Sequence, residues 1–121
     1  MVKQKLKPLL PSLREKKRYL VFEIISKNKI KDFEMVSKTI IETSLRYLGE
    51  FTTGQAGIIF LSDKWNPKLQ RGVMRVNHKC VNKIKSVLTL IDNVGEEQVI
   101  VKSVGVSGIL KKAEERYLKT A

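Results

Sequence analysis

Seven cations (Lys64, Lys68, Arg71, Arg75, Lys79, Lys83 and Lys85) fall between Lys64 and Ile91 with no Asp or Glu among them. Side chains of this type, at this density, are suited to neutralising phosphate. A folded surface carrying one sign of charge repels itself, and a polyanion relieves that repulsion. The alternative is an ordinary solvated face. Arg14, Lys16, Lys17 and Arg18 form a second candidate cluster, readable as a phosphate contact or as a solubilising arm. His78 borders the basic hairpin and either touches RNA or is an ordinary exposed or capping histidine.

A third candidate is Val104-Gly105-Val106-Ser107-Gly108, followed by Lys111 and Lys112. Glycines at a strand-to-helix junction can present free backbone N–H groups to a phosphate. The same residues also suit a tight turn with a helix cap. Trp65 either stacks on a base, enters a partner, or packs on the chain's own core.

Catalytic chemistry finds little support. One histidine excludes a His-based metal site, and one cysteine, Cys80, excludes a zinc knuckle and an intrachain disulfide. The carboxylates are scattered, and the glycines fit no phosphate-loop spacing. The expectation is therefore no catalytic residue, no bound cofactor and no metal in this chain.

The whole chain sets the frame for these residues. At 121 residues, 42% hydrophobic and 30% charged, it is expected to be one domain spanning 1–121. A net charge of +12 fits a nucleic-acid binder. No apolar run reaches membrane-spanning length, and no basic helix with an exposed aromatic face offers itself to lipid. The free cysteine suits a reducing cytoplasm.

Residues 1–16 read as a basic N-terminal arm. The β-rich run Lys17–Ser26 reads as a strand, and Asp32 caps a helix whose stripe is Phe33, Val36, Ile40, Ile41, Leu45, Tyr47 and Leu48, ending at Gly49. Gln55–Ser62 and Leu69–Asn77 read as a hairpin around the Asp63–Pro67 turn. Asn77 then caps a helix buried through Cys80, Val81, Ile84, Val87, Leu88 and Ile91. Asn93–Gly95 is a turn, Gln98–Val106 a fourth strand, and residues 107–121 a final helix capped by Ser107. The order within residues 17–106 is βαββαβ. It predicts an α+β, ferredoxin-like sandwich similar to an RNA recognition motif: a four-stranded antiparallel sheet with two helices on one face, and an extra C-terminal helix.

In an RNA recognition motif the open face stacks bases on aromatics. Here Val73 and Arg75 hold the two stacking positions of Arg71-Gly72-Val73-Met74-Arg75-Val76, and only Tyr19 is left to stack or to pack an edge. The second and fourth strands are apolar on both sides, which requires cover from the terminal segments or from another protein.

Three segments together resemble one family. Pro11-Ser12-Leu13-Arg14-Glu15-Lys16-Lys17-Arg18-Tyr19, Gly72-Val73-Met74-Arg75-Val76 and Gly105-Val106-Ser107-Gly108-Ile109-Leu110-Lys111-Lys112-Ala113-Glu114 are similar, in this order, to the archaeal ribonuclease P protein component 2 family. The resemblance implies an RNA-binding subunit of the ribonucleoprotein that removes the 5′ leader of precursor tRNA. It implies that RNA performs the Mg2+-dependent hydrolysis. It also implies a barrel-shaped second protein subunit as partner, and self-association into a heterotetramer. Rival readings are a ribosomal or other structural-RNA protein of the same fold, a protein–protein adaptor, and a small ferredoxin-like enzyme or metabolite sensor.

Overall fold

A computed structural model describes residues 16–119. Residues 1–15, with Arg14 and most of the expected arm, lie outside the described residues. The elements are β1 (Lys17–Ser26), α1 (Phe33–Ala56), β2 (Ile59–Phe60), β3 (Arg71–Asn77), α2 (Val81–Thr89), β4 (Asn93–Val94), β5 (Glu97–Ser107) and α3 (Leu110–Ala113), which runs on as a π-helical turn to Leu118. The sheet is antiparallel in the order β2-β3-β1-β5-β4. This is the ferredoxin-like arrangement with one addition. The sheet has five strands rather than four, because Asn93–Val94 pairs back on Glu97–Gln98 where the sequence reads as a plain turn.

Alternation along the central strand β1 decides which side chains go where. Leu20, Phe22 and Ile24 face α1 and α2, packing with Met74, Val76, Val99 and Val101 against Val36, Ile40, Ile84 and Leu88. Asn77 caps a 3-10 turn at His78–Cys80 rather than α2 itself, its side-chain oxygen accepting from Lys79 N–H at 3.0 Å, and α2 begins after Cys80 without a side-chain cap.

α1 departs from expectation at two points. Gly49 does not end the helix: it kinks it at φ 82, ψ 170, and helix resumes to a left-handed cap at Gly57. Only glycine adopts that conformation without strain. The extra turns consume Gln55 and Ala56, so the expected strand Gln55–Ser62 shrinks to Ile59–Phe60. Leu45 and Tyr47 are exposed, whereas Thr43 and Ser44 are buried. Their hydroxyls donate to the carbonyls of Thr39 and Ile40, which makes them tolerable in the helix packing face.

Trp65 belongs to the core. Its ring lies 5.1 Å from that of Phe33, over Gly72, where a Cβ would come within 3.1 Å of both rings. Around Val21 and Val73 the second face of the sheet is covered by the chain itself. α3 crosses it, placing Ala113 and Leu118 on Val21 and Val73, with Tyr19, Leu61, Val104, Leu110 and Tyr117 around them. Asn66 Nδ2 donates to Leu118 O at 2.7 Å and Arg71 Nη1 to Tyr117 O at 2.8 Å, anchoring its far end.

Candidate nucleic-acid interface

Antiparallel pairing brings the start of β1, the end of β3 and the end of β5 to one end of the sheet. Lys17 pairs with Asn77, Arg18 with Val76, and Tyr19 with both Arg75 and Ser107. His78 N–H donates to Lys16 O at 2.8 Å, and His78 Nδ1 lies 3.1 Å from the same oxygen. Arg18 lies beside Gly108, its Nη1 3.6 Å from where a Cβ would stand. Lys16, Lys17, Arg18, Arg75, His78, Lys79, Lys111 and Lys112 therefore share one end of the molecule. The segments 16–19, 75–79 and 107–112 that build it contain no carboxylate. Among the described residues, none of these cations forms an ion pair.

Arg75, like Arg18 and His78, is half-buried. It lies between Tyr19 and Ile59 on neighbouring strands, and its Nε is buried with no hydrogen-bond partner. Burying part of a guanidinium without a partner is costly, and a phosphate oxygen would satisfy it.

The remaining candidates lie elsewhere. Arg71 Nε bonds Glu23 at 3.3 Å, and Lys102 shares that carboxylate at 3.4 Å. Lys64 pairs with Glu114 at 2.9 Å, and the hydrogen bond to this carboxylate, with its charge, holds the ammonium above its usual 10.5. These pairs set three cations against two carboxylates, because Arg71 and Lys102 share Glu23, and leave one positive charge in surplus. Lys68 lies at the far end of the sheet, where Lys27, Lys29 and Lys31 alternate with Asp32, Asp92, Glu96 and Glu97. Lys83 and Lys85 project from α2, in the opposite layer from Arg71. The acid-free stretch of sequence is thus divided in space: its strand serves one layer and its helix the other.

α3 also decides what the open face can bind. Val73, at one stacking position, is fully buried beneath it, and Tyr19 packs into the same cluster. No base can stack there. Gly105 is strand rather than phosphate loop, and the Tyr117 ring occupies the space its side chain would need. The cationic end is suited to backbone-directed contact with a polyanion rather than to base stacking. That Arg75 also meets no carboxylate across the sheet follows only from its pairing with Tyr19 and Ile59.

Comparison with known proteins agrees with this architecture. The chain is 38% identical to the ribonuclease P protein component 2 of Pyrococcus abyssi, covering 94% of each chain. It is 33% identical to the protein of that name from Thermococcus kodakarensis (97% and 95% covered) and 34% identical to that from Archaeoglobus fulgidus (94% and 99%). A chain in a cryo-EM structure of yeast ribonuclease MRP shares the fold, with a TM-score of 0.63 at 16% identity, over 89% of this chain and 82% of that one. The model of the Rpp14/Pop5 family matches residues 18–118, and the chain belongs to that family.

Proposed function

We propose that this chain is an RNA-binding protein subunit of ribonuclease P, supporting the catalytic RNA as it removes the 5′ leader of precursor tRNA. The observation that carries the reading is the carboxylate-free end of the sheet, in a chain whose near-full-length relatives are named ribonuclease P protein component 2. The chain contributes no catalytic residue. Its lysines and arginines neutralise phosphates where RNA helices crowd together, which lowers the repulsion opposing the compact catalytic fold. Mg2+ serves the RNA and is not held by this protein. A barrel-shaped second protein subunit, and pairing of two such heterodimers through this chain, complete the assembly in the cytoplasm.

Reconstitution tests this. Ribonuclease P RNA, precursor tRNA and the other protein components are combined with and without this chain, and leader cleavage is followed as Mg2+ is lowered. The chain should raise cleavage most at limiting Mg2+. A variant carrying Lys17→Ala, Arg18→Ala, Arg75→Ala and Lys79→Ala should lose most of that gain. Equal cleavage with and without the chain at every Mg2+ concentration overturns the proposal.

A further inference from the structure

The sheet is left open along one side. β4 covers β5 only at Glu97 and Gln98, and Val99 N–H, donating to Asp92 O at 3.0 Å, is the last amide on that side with a backbone partner. Strand geometry turns alternate amides the same way, so those of Val101 and Ser103 also point away from β1. The opposite alternation on β1 agrees, since Ile24 N–H there donates to Gln70 O on the β3 side. Among the described residues nothing pairs with the outward amides of Val101 and Ser103. Unpaired edges of this length are normally blunted by proline, repeated charge or a covering element. Val99–Ser107 has no proline and a single charge, Lys102, and only the register shift near Val104 interrupts it.

Beside this edge the sheet keeps an apolar pair exposed. Ile25 and Ile100 are cross-strand partners on the face that α3 covers elsewhere, 45% and 63% accessible. They line a shallow cleft with Ser26, Lys27, Asp92, Gln98 and Val99, whose two charges offset each other, so that the apolar pair decides what enters it. An edge with free amides and an adjoining apolar cleft has the two features used in strand addition: backbone bonds give affinity, and a side-chain recess gives register.

We propose that β5 accepts an extended segment of another protein as an added strand between Ile100 and Val106. Such a segment carries an apolar residue for the Ile25–Ile100 cleft and acidic residues along the rest of its length. Charge selects this occupant. Lys102 beside the edge is 56% accessible and shares the single Glu23 carboxylate with Arg71, which leaves that trio one positive charge in surplus, and Arg18 lies beyond the far end, within a chain of net charge +12. A second copy would bring the same charge and set Lys102 near its own counterpart; an acidic strand is attracted instead. Lys16, Lys17, Lys79 and the rest of the cationic end apart from Arg18 remain free for RNA. The inference rests on the proposed place of this chain in a ribonucleoprotein.

Amide hydrogen exchange on the assembled particle tests it. Exchange at Val101 and Ser103 is followed in the chain alone, with ribonuclease P RNA, and with the remaining protein components of the particle. Protection by at least about tenfold should appear with the proteins and not with RNA alone. Ser103→Pro removes one outward N–H without touching the β1 ladder, and Ile100→Asp puts a like charge against the incoming strand. Each should weaken association with the protein components by about tenfold or more while RNA affinity stays within about twofold. Wild-type edge amides unprotected in the full particle, protection by RNA alone, or unweakened protein binding by both folded variants overturns the proposal. Sedimentation of the chain alone as a salt-sensitive dimer with protected edge amides overturns it in favour of self-pairing. RNA affinity and cleavage read in the same samples separate failure here from failure of the ribonuclease P reading.

Discussion

The ring of Tyr117 rests on Gly105, filling the space that any side chain at position 105 would need. This contact lets α3 lie flat on the sheet and seal Val21 and Val73. Gly105→Ala should therefore destabilise the protein by about 1–3 kcal/mol, the usual cost of overpacking. Urea unfolding measures it. Adding Tyr117→Leu should recover part of the loss, so that the two changes are less than additive.

Gln70 is a non-glycine residue at φ 52 and is 3% exposed. Its side chain accepts from Ile30 N–H and donates to Ile24 O at 2.8 Å and to Ser26 Oγ at 3.1 Å. Gln70→Ala leaves the first two backbone groups without these partners, at a cost of about 2–4 kcal/mol. Thermal unfolding should show a large fall in midpoint, and RNA affinity of the folded fraction should not change.

Arg71 and Arg75 stand four residues apart on one face of β3 and should behave differently. Arg75→Ala should make the salt dependence of RNA binding shallower by about 1 in slope, for unrelated RNA sequences alike. Arg71→Ala breaks the Glu23 pair and the bond to Tyr117 O, so it should lower stability by about 1–3 kcal/mol. Filter binding across a salt series, with denaturation in parallel, distinguishes the two effects.

Lys64 titrates above 10.5 because Glu114 bonds and attracts its ammonium. A raised folded-state value means that the pair's contribution to stability is complete below 10.5, the unfolded value, and fades as pH rises through the folded one. Glu114→Gln should return Lys64 towards 10.5, read by NMR titration of its side-chain resonances.

Much of this architecture was legible in the residues. The boundaries of β1, the Asp32 cap and the buried face of α2 follow from alternation, capping chemistry and helical spacing, whereas Asn77 caps the 3-10 turn ahead of α2 and not α2. Gly49 misleads because a glycine after an apolar stripe has the same appearance as a C-cap or as a kink; only the continuing hydrogen bonds decide. The run Ala56–Leu61 is apolar enough for a strand but is divided between a helix end and a two-residue strand. For the interface, proximity in sequence was the wrong guide. Lys83 and Arg71 are near neighbours along the chain but lie in different layers, while Arg18 and Gly108 meet across antiparallel strands. Spatial charge is set by pairing, which no local pattern encodes.

α3 begins directly after β5, yet its far end is tied to Asn66 and Arg71, and β5 itself hydrogen-bonds to β1. β1 consequently waits beside β3 with one flank and one face bare until Leu118 has cleared the ribosome. During that interval a nascent chain of high positive charge sits close to ribosomal RNA. Biogenesis of this protein must therefore shield an unfinished sheet, and slowing translation downstream of Asn77 would lengthen that exposure.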